Sequence, residues 1–254
     1  MTHMDRKLTV RTDGALFAEG CCFHLSGKTG IGLFPSLFLL QCRNLSDTDV
    51  FRLRNTKELS VYRDDSCLAF GKVSDVFRET VPEGTITTVA FSLGLDLWEA
   101  QISVSISAGA SASETVRMLL NASETGIQLL SFPGADPEFS RAQAFCGRAA
   151  DCIVTALTAA GAKGYLVPAG LCIVPADPLE PTLHLTKTDL IDAPMIAAGG
   201  TKMILSTTVT GFQPGEEMTL EADGEHWQGL ILERMVEADT AYGDWKTQLV
   251  IQLR

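Results

Sequence analysis

The stretch Ser26-Gly27-Lys28-Thr29-Gly30-Ile31-Gly32 has the residue types of a phosphate-binding loop. Such a loop wraps phosphate oxygens in backbone N–H groups, and its first glycine stands five positions ahead of the Gly of the Gly-Lys pair, with four residues between. That position is Cys22, no helical pattern follows, and Pro35 bars a long helix. The stretch therefore reads as a glycine-rich loop between strands. His3, His24, His184 and His226 lie far apart, with none at metal-ligand or triad spacing. A GxSxG nucleophile elbow is absent. Asp64-Asp65 could be imagined as paired carboxylates, but between two alternating runs the pair reads as a solvated turn. Trp98, Trp227 and Trp245 sit in or beside strand-like runs, where packing is their expected role. The expectation is no catalytic, cofactor-binding or metal-ligating residue, no cofactor, and no enzymatic activity.

Seven cysteines, Cys21, Cys22, Cys42, Cys67, Cys146, Cys152 and Cys172, have irregular spacing and form no CxxC pair. That pattern argues against a disulfide framework and a zinc site. Most fall in apolar runs, where a reduced thiol behaves as a small hydrophobe. The net charge is −11 with no Lys/Arg-rich block, which argues against a sequence-independent grip on nucleic acid. No apolar run approaches the roughly 18–20 residues that cross a bilayer. The polar start, MTHMDRKLTV, lacks a secretory apolar core. Synthesis as a soluble cytosolic protein is expected.

The elements around these residues are mainly strands. Phe38, Leu40 and Cys42 share one face of a strand. Leu59 and Val61, then Leu68 and Phe70, flank Asp64-Asp65 as a hairpin. The second arm continues through Val73 and Val76 with a bend or bulge at Gly71. Pro82-Glu83-Gly84 turns the chain into a β-branched run that reaches Ile102, Val104 and Ile106. Short strands at fairly regular spacing predict a barrel or sandwich. Helical spacing then appears at Val116, Leu119 and Leu120, with a capping box at Ser111 and Glu114 and a stop at Gly126. A second helix carries Ile153, Leu157 and Ala160 and ends at Gly161. A hairpin turns at Pro168-Ala169-Gly170. Prolines 175, 178, 181 and 194 mark an extended connector. Strands resume at KMILSTTVTGF, EMTLEA and HWQGLILERMVEA, followed by a closing hairpin turned by residues 241–244. The expected fold is mainly β with a small α/β insert: a barrel over 1–106, the insert over 107–176, and a second barrel over 177–254.

The stretch FQPGEEMTLEADGEHWQGLILERMVEADTAYGDWKTQLVIQL resembles the closing barrel of bacteriophage and prophage tail (baseplate) hub proteins of the late-control-protein-D group. The matching elements are Pro214-Gly215, Met218–Glu221, Leu230–Val236, Gly243-Asp244 and Trp245-Lys246-Thr247. RAQAFCGRAADCIVTALTAAGAKGYLVPAGLCIVP is similar to the group's small insert, and SVYRDDSCLAFGKVSDV to its first barrel. The resemblance implies two similar tube-type barrels per chain, so that a homotrimer imitates a sixfold ring. It implies a ring-forming adaptor between a hexameric tail tube protein and a trimeric spike or tail-tip protein, beside other baseplate proteins. It places the protein in a virion tail or related contractile injection particle, assembled in the bacterial cytoplasm, with DNA passing the lumen without specific binding and no membrane insertion. A chain ending at Arg254 would be a minimal hub, with any puncturing tip or hydrolase a separate protein. A β-rich receptor- or carbohydrate-binding tail-tip module is the competing expectation.

Overall fold

A computed structural model describes residues 7–17, 21–174, 180–197, 199–241 and 245–254. The first region contains β1 (Thr9–Thr12), β2 (Ala15–Leu16), β3 (Phe23–Gly30), β4 (Ser36–Arg43), α1 (Asp47–Arg54), β5 (Glu58–Arg63), β6 (Ser66–Val81) and β7 (Gly84–Leu93). The middle contains α2 (Leu95–Glu99), β8 (Gln101–Ile106), α3 (Ala112–Ser123), β9 (Leu129–Ser131), β10 (Gln143–Arg148), α4 (Ala149–Ala159), β11 (Lys163–Val167) and β12 (Gly170–Val174). The last region contains β13 (Leu183–Thr186), a 3-10 turn (Lys187–Asp189), β14 (Met195–Ile196), β15 (Lys202–Thr207), β16 (Glu217–Ala222), β17 (Glu225–Asp239) and β18 (Trp245–Leu253).

Strands of the first and last regions form one thirteen-stranded sheet, ordered β14-β15-β18-β17-β3-β4-β7-β6-β5-β1-β2, with β16 on β17 and β13 on β16. The fifteen-residue β17 is the shared member. One edge pairs first with β16, from Glu225 to Leu230, and then with β3, from Glu233 to Asp239. Its other edge holds β18 from Gly229 to Ala238. A bulge between Ile231 and Glu233 marks the change of partner. Bulges bend a strand and raise its twist, so one strand can leave one core and enter another.

Three apolar clusters result. Leu25, Phe38, Leu40, Val61, Val89 and Phe91 fill the first, together with Val236 and Ala238 from the far end of β17. Ile106, Val116, Leu119, Ile153, Leu157 and Leu171 fill the second, with Leu33 reaching in from the bend after β3. Met203, Leu205, Phe212, Leu220, Ile231, Leu249 and Ile251 fill the third. Each large side chain so buried contributes about 1.5–3 kcal/mol.

Several expectations change. Among the described residues no closed barrel forms, because strands expected in two barrels join one sheet through β17. The stretch from Ser26 to Gly30 is strand β3 itself, not a loop. Gly27 is required there because a Cβ would lie 2.2 Å from Cδ1 of Phe38, whose ring stacks on Phe91 at 5.3 Å. The run after β7 is broken by α2, which starts at Gly94 in the left-handed region. Helix α3 has the expected capping box but stops at Glu124, before Gly126. Helix α1 had no expectation; Ser46 caps it by accepting from the Asp49 amide at 3.1 Å. Strand β6 has two bulges, one at Leu68 against β5 and one at Val73/Asp75 against β7. Strand β13 sits in the Pro-rich connector, and positions 175 and 178 lie outside the described residues, as does most of the closing turn, 242–244.

Gly71 gives a clean test of the β5–β6–β7 packing. A Cβ there would lie 2.3 Å from the Ser92 carbonyl carbon and 2.4 Å from its oxygen. Main chain cannot rotate aside, so Gly71→Ala is expected to lower stability by about 1–3 kcal/mol or more in urea unfolding.

Candidate functional site

The three cores meet beside the β17 bulge. Alternation along β17 turns Arg234, Val236 and Ala238 toward the interior, in register with Thr29, Gly27 and Leu25 of β3. An arginine thus occupies an apolar position and is only 4% exposed. Its Nη1 donates to the Phe212 carbonyl at 3.0 Å, and its Nη2 to the Leu68 carbonyl at 2.7 Å. One guanidinium thereby ties β6 of the first region to the segment leading into β16 of the last. Burial pushes its pKa down, while Cys67 and Glu216 favour the charged form. The Glu216 carboxylate accepts from the Gln213 amide at 2.9 Å. Burial pushes the Glu216 pKa above its ordinary 4.5, against the lowering influence of that amide and of Arg234.

The middle region is fastened at the same place. The Ile31 amide donates to the Leu232 carbonyl at 2.8 Å, and the Gly32 amide to the Gly164 carbonyl at 2.7 Å. Tyr165 lies against the Pro214-Gly215 turn. Gly215 has φ of 89°, and a Cβ there would come within 2.4 Å of the Tyr165 ring. Burial raises the Tyr165 pKa. Two clefts flank this joint. One of about 330 Å³ lies between Lys72, Asp96, Thr125 and Pro168. The other, about 350 Å³, lies between Ile31, Val154, Leu157 and Leu232.

The residues singled out in the sequence are dispersed. Trp245 packs on the first core, donates its Nε1 proton to the Asp239 carbonyl at 2.6 Å, and carries Arg63 over its ring at 4.9 Å. Trp98 stands between Phe34, at 5.0 Å, and Arg148, at 4.9 Å. Trp227 packs on the third core. His24 lies 3.6 Å from Asp239, and His184 Nδ1 is 2.6 Å from Thr219 Oγ1. His226 is on β17, and position 3 lies outside the described residues. Asp64 and Asp65 form the β5–β6 turn, with Asp64 at φ 51°. Cys42 and Cys152 are buried, whereas Cys22 and Cys146 are exposed; all seven thiols are free. Among the described residues no group of three or more His, Cys, Asp or Glu is placed to hold a metal. No described helix is long and apolar enough to cross a membrane. Arg234 and Glu216 were missed, although the apolar alternation of LILERMVEA points Arg234 inward.

The opposite face of the sheet is solvated and its charges are matched across strands. Lys28 pairs with Glu233 at 2.7 Å, and Lys246 with Glu237 at 3.2 Å. Two ends of the sheet are two-residue strands, β14 and β2, whose four residues are all exposed, and the third is β13. This arrangement offers main-chain edges and apolar contacts rather than reacting groups.

No protein-family model and no curated protein matches the chain. Solved structures do match, at low sequence identity. A tail protein from Neisseria meningitidis MC58 aligns with a TM-score of 0.75 and 10% identity over 96% of this chain and 95% of that one. The 43 kDa tail protein of prophage MuSo2 from Shewanella oneidensis aligns at 0.69 and 9%, over 98% and 96%. The E. coli c3393 protein, a type VI secretion component described as similar to T4 bacteriophage tail proteins gp27 and gp5, aligns at 0.69 and 9%, over 98% and 77%. The chain shares the fold of phage and prophage tail proteins.

Two outcomes are expected at the joint. Arg234→Ala leaves two buried carbonyls without their donor and should lower stability by roughly 3–5 kcal/mol in denaturant unfolding. Glu216 holds its proton more tightly folded than unfolded, so its ionisation weakens the fold. Its contribution is fully present below the ordinary 4.5 and is lost as pH rises through the raised folded value. Glu216→Gln should remove that downward slope, read as urea midpoints across the pH range.

Proposed function

We propose that the protein is a structural hub of a phage-type tail baseplate, a homotrimeric ring-forming adaptor that joins a hexameric tail tube to a trimeric spike or tail tip. The observation that carries this reading is β17, one strand serving the first and third cores and held by a buried arginine. A protomer built this way carries two sheet lobes as one body. Three protomers then offer six lobes to a sixfold tube and threefold symmetry to a spike. Of the expected division, a first β lobe over 1–106, an α/β module over 107–176 and a second β lobe over 177–254, the first boundary moves back to Gly94, because α2 and β8 pack within the module. The full-length likeness to tail proteins supports a tail role for the whole chain rather than for one part of it.

The role is mechanical and needs no chemistry of its own. Exposed terminal strands suit sheet contacts between subunits and with other baseplate proteins. The −11 charge suits a lumen through which DNA slides, since like charges repel within the ~8 Å screening length. The protein would act in the tail of a particle assembled in bacterial cytoplasm.

Co-expression with a phage tail tube protein and a spike protein tests the assignment. Mass photometry is expected to give a species three times the 27.3 kDa chain mass, and electron microscopy a ring capping the tube. A ring of six copies, or a chain that stays monomeric with both partners present, would refute the trimeric hub.

A further inference from the structure

The interior beside Arg234 holds a small, partly open space of about 10 Å³, lined by Thr29, Phe38, Cys67, Leu68, Gln213 and Arg234, among others. Thr29 and Arg234 are direct cross-strand partners, and both are buried. Two of their polar atoms, Arg234 Nε and Thr29 Oγ1, are fully buried and have no hydrogen-bond partner among the described residues. The other two guanidinium nitrogens are already committed to the Phe212 and Leu68 carbonyls. A guanidinium N–H left unpaired in an interior is costly, and polar cavities of this kind hold water when they reach roughly 10–15 Å³.

We infer that this space is a binding site for a single water molecule, which accepts from Arg234 Nε–H and donates to Thr29 Oγ1. The size admits one water and disfavours a larger halide. The Leu68 carbonyl nearby, together with the Glu216 carboxyl that faces the guanidinium, opposes an anion. With the water in place every nitrogen of the guanidinium is hydrogen-bonded, so the charge remains at the joint between the two sheet lobes. The site stands on the fold alone and does not depend on the hub assignment.

A crystal structure at near-atomic resolution, from crystals soaked in bromide, is the direct test. One water peak within hydrogen-bond distance of both Arg234 Nε and Thr29 Oγ1 is expected, without anomalous bromide signal. A dry cavity, or a bromide in it, overturns the inference. A double-mutant cycle supplies the solution counterpart. Thr29→Val is nearly isosteric and keeps the β-branched shape. It should cost about a fivefold drop in the folding equilibrium constant in the native background, the scale of one lost hydrogen bond. The drop should vanish in an R234M background. No effect in the native background, or an equal effect in both, overturns the inference.

Discussion

The structure depends on a single strand satisfying two sets of partners at once. Strand β17 must complete the third core with Ile231 and the first core with Val236 and Ala238. Only the bulge at Leu232 lets its edge pass from β16 to β3. At that point regular pairing lapses, and the interior gains a polar demand that an apolar side chain cannot meet. Arg234 meets it by reaching the Leu68 and Phe212 carbonyls, which belong to segments far apart in sequence. A buried guanidinium carries a desolvation penalty of several kcal/mol, tolerable only because its hydrogen bonds are made.

The α/β module is placed by the same constraint. The bend at Ile31-Gly32 follows directly from the β3 strand that β17 holds, and it donates to both Leu232 and Gly164. Leu33 then enters the module's core as a peg from the sheet. Tyr165 closes the contact on the Pro214-Gly215 turn, where only glycine leaves room for the ring. Sheet lobes and module are therefore fixed to each other through a few residues around one bulge. In the proposed ring, geometry would then come from that joint rather than from flexible linkers.

Much of the local structure was legible in the sequence, because it is local. The Ser111/Glu114 capping box, the Asp64-Asp65 turn and the long β17 alternation each depend on neighbours in the chain. What was misread depends on distant residues. Gly27 signals a loop by composition, but it is a strand position emptied for Phe38. Helix α1 buries only Val50 and Leu53, too little apolar face to stand out against its Asp and Arg residues. Strand β13 pairs in parallel with β16, a contact of long sequence separation that four prolines disguise. The union of both lobes in one sheet was invisible for the same reason. The length of β17 could be read, but not that β16 and β3 share its edge.

The choice of arginine at the joint makes sense as a device for register. Side chains on a strand alternate with period two, so a slip of one residue would turn Glu233 or Met235 inward and Arg234 outward. Met235 could be buried at little cost, so an all-apolar seam would discriminate weakly between registers. Arg234 discriminates strongly, because only in the observed register do both carbonyls receive their donors. The outer face reinforces the same choice, since Lys28 and Lys246 meet Glu233 and Glu237 only when Arg234 points inward. Replacing it with an apolar residue of similar volume could even stabilise an isolated lobe, as happens with some buried ion pairs. It would also remove the interaction that fixes where β17 leaves the third core and enters the first.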